Sequence, residues 1–168
     1  MKPIIRQMNE NDVKQYRLLR LEALKNHPEA FASSYEEEIL YDESIYVQRL
    51  KQQSTYSVGA FDGDAMIGMA VFVPQSRTKI SHMADIFSVY VSPLYRKHNL
   101  GYLMIQTIIN HAKQLGFIEQ IKLSVTSTNL DAIKLYMRCG FEIYGTDPHV
   151  IKVGDRYYDS TLMILYIK

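Results

Sequence analysis

The sequence has no tryptophan and one cysteine, Cys139. One thiol cannot close an intrachain disulfide, so a disulfide-stapled scaffold is excluded and a reducing compartment is the natural setting. Neither charge is in excess. Nineteen Lys and Arg face 18 Asp and Glu, for a formal net charge of +1, which gives no reason to expect nucleic acid or an anionic membrane as the main partner. No run approaches the ~20 apolar residues needed to span a bilayer. The opening Met-Lys-Pro-Ile-Ile-Arg has only two consecutive isoleucines before charge returns, too few for the apolar core of a secretory signal. A cytoplasmic location is therefore expected. The five histidines are scattered without metal-ligand spacing, so no metal is predicted. Repeats, low-complexity tracts and flexible linkers are also missing, and residues 1–168 read as a single domain.

Apolar residues make up 47% of the chain, enough for a substantial core at this length. Pro3–Met8 reads as a first strand. Asn9 or Asn11 would cap a helix with Val13, Tyr16, Leu19, Ala23 and Leu24 on one face, stopped at Asn26-His-Pro. Residues 29–41 read as a long loop and 44–50 as a short helix. The β-rich runs at 55–61 and 65–73 flank Asp62-Gly63-Asp64, a hairpin turn. A strand at 83–91 follows, then a helix at 100–115 with Leu100, Leu103, Met104, Thr107, Ile108 and Ala112 as its buried stripe, closed by Gly116. A strand at 121–125, a helix at 129–138 closed by Gly140, and strands at 141–144 and 156–167 around the turn Val153-Gly154-Asp155 complete the order. Helices flanked by strands, with hairpins elsewhere, predict an α/β (α+β) fold: a mixed central sheet of about seven strands with helices on both faces.

The junction of the strand at 83–91 with the helix at 100–115 is the most informative segment. It reads Tyr95-Arg96-Lys97-His98-Asn99-Leu100-Gly101-Tyr102. Free N–H groups and the positive end of the helix dipole favour an anion at a helix start, and Arg96, Lys97 and His98 add side-chain donors there. The residues from 95 to 102 look like a seat for a phosphate or pyrophosphate. The bland alternative is an exposed basic turn that binds nothing.

A second segment, Asn129-Leu-Asp-Ala-Ile-Lys-Leu-Tyr136-Met-Arg-Cys-Gly140-Phe141, lies downstream. Together the two resemble the GNAT superfamily of acyl-CoA-dependent N-acyltransferases. The first is similar to its Val-x-Pro-x-Tyr-Arg opening and Arg/Gln-x-x-Gly-x-Gly/Ala loop, the second to its Asn-x-x-Ala-x-x-Leu-Tyr-x-x-x-Gly-Phe segment. The resemblance implies the GNAT fold, with the strands at 84–91 and 121–125 splaying to admit the pantetheine arm. It also implies acetyl-CoA as cosubstrate and direct transfer of an acetyl group to a primary amine of a small molecule or peptide. A noncatalytic acyl-CoA-binding sensor or interaction module on the same fold is the alternative. A homodimer is neither demanded nor excluded.

On that resemblance, residues 96–102 hold the pyrophosphate: Arg96, Lys97, His98, Asn99, Leu100, Gly101 and Tyr102. The family usually has glycine at the position of Asn99, and often at that of Lys97. Asparagine is among the few other residues that accept left-handed geometry. Backbone groups of Val89 and Val91 would pair with pantetheine amides, and Asn129 would sit near the cofactor, its bland reading being a helix N-cap. Tyr136 is the expected acid. A phenol remains protonated at neutral pH and can give a proton or hydrogen bond to the departing thiolate. The base is less determined. Several family members use a glutamate on the strand equivalent to 121–125, where this chain has Ser124. Asp85 is the candidate substitute, with His82, an acidic residue of 36–38 acting through water, or a water chain as alternatives. Cys139 reads as a packing residue. Among 13 tyrosines, Tyr35, Tyr144, Tyr157 and Tyr158 fall in segments that border the acceptor pocket in GNAT folds.

Overall fold

Residues 2–167 are described by a computed structural model. Strand β1 (Ile4–Gln7) is followed by helices α1 (Val13–Asn26), α2 (Tyr35–Glu38) and α3 (Glu43–Lys51). The hairpin β2 (Tyr56–Asp62) and β3 (Ala65–Pro74) leads to β4 (Met83–Val91), α4 (Leu100–Leu115), β5 (Gln120–Thr126) and α5 (Leu130–Arg138). A second hairpin, β6 (Glu142–Val153) and β7 (Arg156–Tyr166), ends the order. The strands form one mixed sheet in the order β1-β2-β3-β4-β5-β7-β6, antiparallel throughout except for the parallel pair β4–β5. None of the described helices is long and apolar enough to cross a membrane.

The central strand β3 is buried on both faces, as its almost unbroken run Met66–Val71 requires. On one face, Ile67, Ala70 and Phe72 join Ala84, Ile86, Ile121, Leu123 and Met163 beneath α4 and α5. On the other, Met66 and Met69 meet Val13, Tyr16, Leu19, Ala23 and Tyr46 of α1 and α3. The stripe that α4 buries is Leu100, Met104, Ile105, Ile108, Ile109 and Ala112. Ile105 and Ile109 replace the expected Leu103 and Thr107. Leu103 is exposed, and the Thr107 hydroxyl donates back to its carbonyl at 2.8 Å.

Three expectations need correcting. Asn9 caps a 3₁₀ turn at Glu10–Asp12, in a reciprocal box with Asp12, while α1 itself starts at an Asp12 cap. The segment read as loop at 29–41 contains a 3₁₀ turn, Pro28–Ala30, and the short helix α2, whose start is capped by the Ser34 hydroxyl accepting from Glu37 N–H. Strand β6 runs well past 144 to Val153. It is an edge strand with register shifts, exposed along most of its length, so it shows little of the alternation that marks a half-buried strand.

Candidate active site

The parallel pairing of β4 with β5 covers only Met83 with Gln120, Ala84 with Ile121, and Asp85 with Lys122. Beyond that point β4 remains paired with β3 as far as Val91, and β5 with β7 as far as Thr126, but not with each other. The sheet therefore forks at Asp85–Lys122. The amide of Ser92 donates to Ile67 on β3, so strand alternation turns the backbone groups of Val91 and Val89 the other way, onto the unpaired edge. These are the two residues expected to offer backbone to an extended amide-bearing arm. One of their acceptors is occupied: Arg96 Nε donates to the Val91 carbonyl at 3.1 Å.

At the mouth of the fork the chain turns into α4. Lys97 and Asn99 both have φ of 65°, in the left-handed region. These are the two positions for which glycine is the family's habit, and the backbone here takes the glycine-like form with other side chains in place. No side chain caps α4, and its first backbone bond is Leu103 N–H to the Asn99 carbonyl. The N–H groups of Leu100, Gly101 and Tyr102 are thus left for an anion. Lys97 and His98 are exposed beside them. Gly101 has a different reason to be glycine: a Cβ there would lie 2.8 Å from Leu135 Cδ2, so it permits the close approach of α4 and α5.

Arg96 departs from its expected place. Besides holding Val91, its guanidinium reaches His27 Nε2 at 3.1 Å and lies over the Tyr90 ring, so it ties the strand end to the end of α1 and does not point into the loop. The residue that does reach the loop is Arg138, which sequence reasoning missed. It donates to Asn99 Oδ1 and lies 4.1 Å from the centre of the Tyr102 ring. It occupies a variable position of the Leu-Tyr-x-x-x-Gly-Phe segment, so no motif marked it. Asn129 caps α5 by accepting from Ala132 N–H at 3.2 Å.

Tyr136 lies in the core on the α4–α5 side of the sheet, 6% exposed and edge-on to Phe141. Burial, with a smaller contribution from Cys139, pushes its hydroxyl well above the ordinary phenol range, so it keeps its proton. Cys139 is buried, and that burial raises its thiol as well, as suits a packing residue. Asp85 belongs to the other face of the sheet, because its neighbours Ala84 and Ile86 both point to α4. It accepts from Gln75 Nε2, and burial raises its carboxyl above the usual range against the opposing pull of that bond and of Lys122. With Phe87, Lys122, Ser124, Tyr144 and Leu162 it lines a small open cleft of about 180 Å³. The two expected catalytic residues therefore lie on opposite faces of the sheet.

The alternative bases fare differently. His82 precedes the paired end of β4, away from the opening. Glu38 is fully buried and bonded to Arg20, Arg49 and Tyr46, while Glu36 and Glu37 are exposed. Of the four tyrosines, Tyr144 lines the fork cleft. Tyr157 and Tyr158 line a second open cleft of about 250 Å³ with Ser127, Thr128, His149 and Asp159 at the exit of β5. Tyr35 instead meets Lys25.

Comparison with known proteins agrees with this fold. The chain is 29% identical over 106 residues to the L-amino acid N-acetyltransferase AaaT of Escherichia coli, covering 63% of this chain and 64% of that one. It is 30% identical over 95 residues to the spermine/spermidine N(1)-acetyltransferase of Bacillus subtilis, covering 56% and 61%. It thus spans less than two thirds of the length of these relatives. Its fold matches the structure of yncA from Salmonella typhimurium with its cofactor acetyl-CoA, at a TM-score of 0.87 and 20% identity over 100% of this chain and 95% of that one. A GNAT-family acetyltransferase from Streptococcus pneumoniae matches at 0.86 and 20%, over 99% and 100%. The family model of the Acetyltransferase (GNAT) family matches residues 16–141, well over half of the sequence, and the chain belongs to that family.

Proposed function

We propose that this protein transfers an acetyl group from acetyl-CoA to the primary amine of a small molecule or peptide, with both reactants held in the fork at once. The observation that carries the reading is the unpaired edge of β4 leading directly into an uncapped α4 start with left-handed residues at 97 and 99. An extended amide-bearing arm fits the edge, and a pyrophosphate fits the helix start. Bound acetyl-CoA supplies an acetyl group already activated as a thioester.

The chain's own residues divide the remaining work. The N–H groups of Leu100, Gly101 and Tyr102 bind anionic oxygens, with Lys97 and His98 adding charge and Arg138 buttressing the loop through Asn99. Val89 and Val91 orient the arm through backbone groups. Tyr136, on the α5 side, holds a proton for the leaving sulfur. Asp85, on the opposite face, takes a proton from the incoming amine directly or through water, and burial brings its carboxyl nearer the range a base needs at neutral pH. Holding two reactants in line supplies much of the gain. One relative is named for L-amino acids and another for spermine and spermidine, so amino acids and polyamines are both acceptors to test.

The test is release of free thiol from acetyl-CoA against a panel of amino acids, polyamines and peptide N-termini, beside calorimetric titration of coenzyme A. Amine-dependent thiol release is the expected result. Coenzyme A binding without release across the panel would favour the noncatalytic sensor, and absence of binding would sink both.

A further inference from the structure

The two arms of the fork are not paired beyond Asp85–Lys122, yet both are tied to one segment lying outside the sheet. On the β4 side, Ser88 has a φ of 57°, in the left-handed region, at the point where the pairing of β3 with β4 changes register. For a serine this backbone is strained and has to be held from outside. Arg20 Nη1 donates to Ser88 Oγ at 3.0 Å. Arg20 is 7% exposed and is itself fixed by Glu38, which accepts from Arg20 Nε at 3.0 Å, from Arg49 at 3.1 Å and from the Tyr46 hydroxyl at 3.2 Å. Phe31 lies against the guanidinium. On the β5 side, the Thr126 hydroxyl, on a residue 6% exposed, donates to the Glu29 carbonyl at 2.8 Å.

Residues 20–38 therefore bridge the opening: Arg20 grips one arm and the Glu29 carbonyl is gripped by the other. We propose that this segment acts as a spacer that sets the width of the fork, with Arg20 and Thr126 as positioning residues that act through Ser88 and Glu29. The inference rests on the acetyl-transfer reading for its catalytic consequence, but not for its structural one. The register shift at Ser88 decides which way the next residues face. Tyr90 packs toward α1, while Val89 and Val91 pack toward α4 and present their backbone to the gap. A loosened Ser88 would blur the edge that Val89 and Val91 offer. A loosened Thr126 would let β5 drift from β4.

Two small substitutions separate the anchors from the fold. Ser88→Ala removes only the oxygen that Arg20 holds, and Thr126→Val removes only the hydroxyl at nearly constant shape. Amide exchange in the ligand-free protein should quicken at Ser92, whose N–H is bonded to the Ile67 carbonyl at 2.9 Å, in the first variant and at Ser127, bonded to the Asp159 carbonyl at 2.8 Å, in the second. Coenzyme A affinity and turnover per folded molecule should each fall on the order of 10-fold, since small misplacements of reacting groups are costly. Thr126→Ser, which keeps the hydroxyl, should restore both. Unchanged exchange in both variants overturns the proposal, as does a fall in melting temperature with turnover per folded molecule intact. If the wild type transfers acetyl to no amine, the functional reading fails while the exchange result still decides the spacer.

Discussion

The mouth of the fork is walled by two regions built in opposite ways. On the α4 side, the proposed seat is backbone. Uncapped N–H groups, two left-handed residues and exposed Lys97 and His98 face solvent, and little is buried that a mutation could strand. On the α1–α3 side, the wall is a set of charged and phenolic side chains, all but Arg49 sealed in the core, around a carboxylate with no exposure at all. The first can afford imprecision, because backbone donors are fixed by the helix they begin. The second gains its geometry only by desolvating Glu38, which costs several kcal/mol and is offset by two guanidiniums and the Tyr46 hydroxyl. Disturbance on this side should cost stability; on the α4 side it should cost binding.

The largest expected effect breaks the comparison on the buried side. Glu38→Gln keeps size and removes charge, leaving Arg20 and Arg49 without their anion. Breaking a buried pair typically costs ~3–5 kcal/mol, and the lower end is expected here because Arg49 reaches solvent. Lys97→Ala on the other side should change stability by under ~0.5 kcal/mol, as surface substitutions do. Urea unfolding of both variants checks the contrast, and equal losses would erase it.

Tyr136→Phe, on the α4–α5 face of the sheet, sharpens the difference between catalysis and packing. The ring and its contact with Phe141 survive, and only the hydroxyl is lost. Turnover should fall about 10²-fold, or ~2.7 kcal/mol in the barrier, with coenzyme A affinity and melting temperature little changed. A lower melting temperature with undiminished turnover per folded molecule would make Tyr136 a core residue and nothing more.

A pH series probes the buried side without mutation. Burial by itself would raise the Glu38 carboxyl, but the hydrogen bonds and charges of Arg20 and then Arg49 hold it below the usual carboxylate range. The bond from Arg6, against a smaller cost of burial, does the same to Asp12. A folded-state pKa below the unfolded one gives stability that is fully present above the unfolded value and is lost as pH falls through the folded one. The share of the unfolding free energy that these two carboxyls supply should therefore hold from neutrality down to about pH 5 and decline below about pH 4. In Glu38→Gln the decline should be shallower, and a decline as steep as wild type would assign it to other carboxylates.

These regions also differ in how far the sequence revealed them. The α4 side could be read because its signals are local: β-branched residues, a basic loop, then a helical period, all within one stretch. The left-handed form of Asn99 followed from the glycine that the resemblance puts at that position and from asparagine's tolerance of the geometry. Arg138 takes the place expected of Arg96 because which arginine reaches a loop depends on contacts between α1, β4 and α5. The buried network left a trace in the sequence, since Arg20 stands four residues after Tyr16 on the apolar face of α1. Its partner Glu38 sits in a segment read as loop, because a four-residue helix has too few turns to show a period. The fork itself lies in strand pairing, which no periodicity encodes.

The smallest expected effect sharpens the comparison on the α4 side. Lys97 and Asn99 share a φ of 65° but not the same support. For lysine, left-handed backbone costs roughly 1–2 kcal/mol, of which glycine would recover all but the ~0.5–1 kcal/mol it loses in unfolded-chain entropy. Lys97→Gly should therefore stabilise by ~0.5 kcal/mol. Asparagine pays less for the same geometry, and Asn99 Oδ1 also receives a hydrogen bond from Arg138, so Asn99→Gly should be neutral or slightly destabilising. Both variants should still bind coenzyme A, because the donors at α4 are backbone and remain in place. Lys97→Gly should bind with a weaker dependence on salt, having lost one cation near the anion. Calorimetry at two salt concentrations, beside urea unfolding, reads both predictions. Loss of binding in Asn99→Gly alone would make the Asn99–Arg138 bond part of the seat itself, and the α4 side would then depend on side-chain geometry as the buried side does.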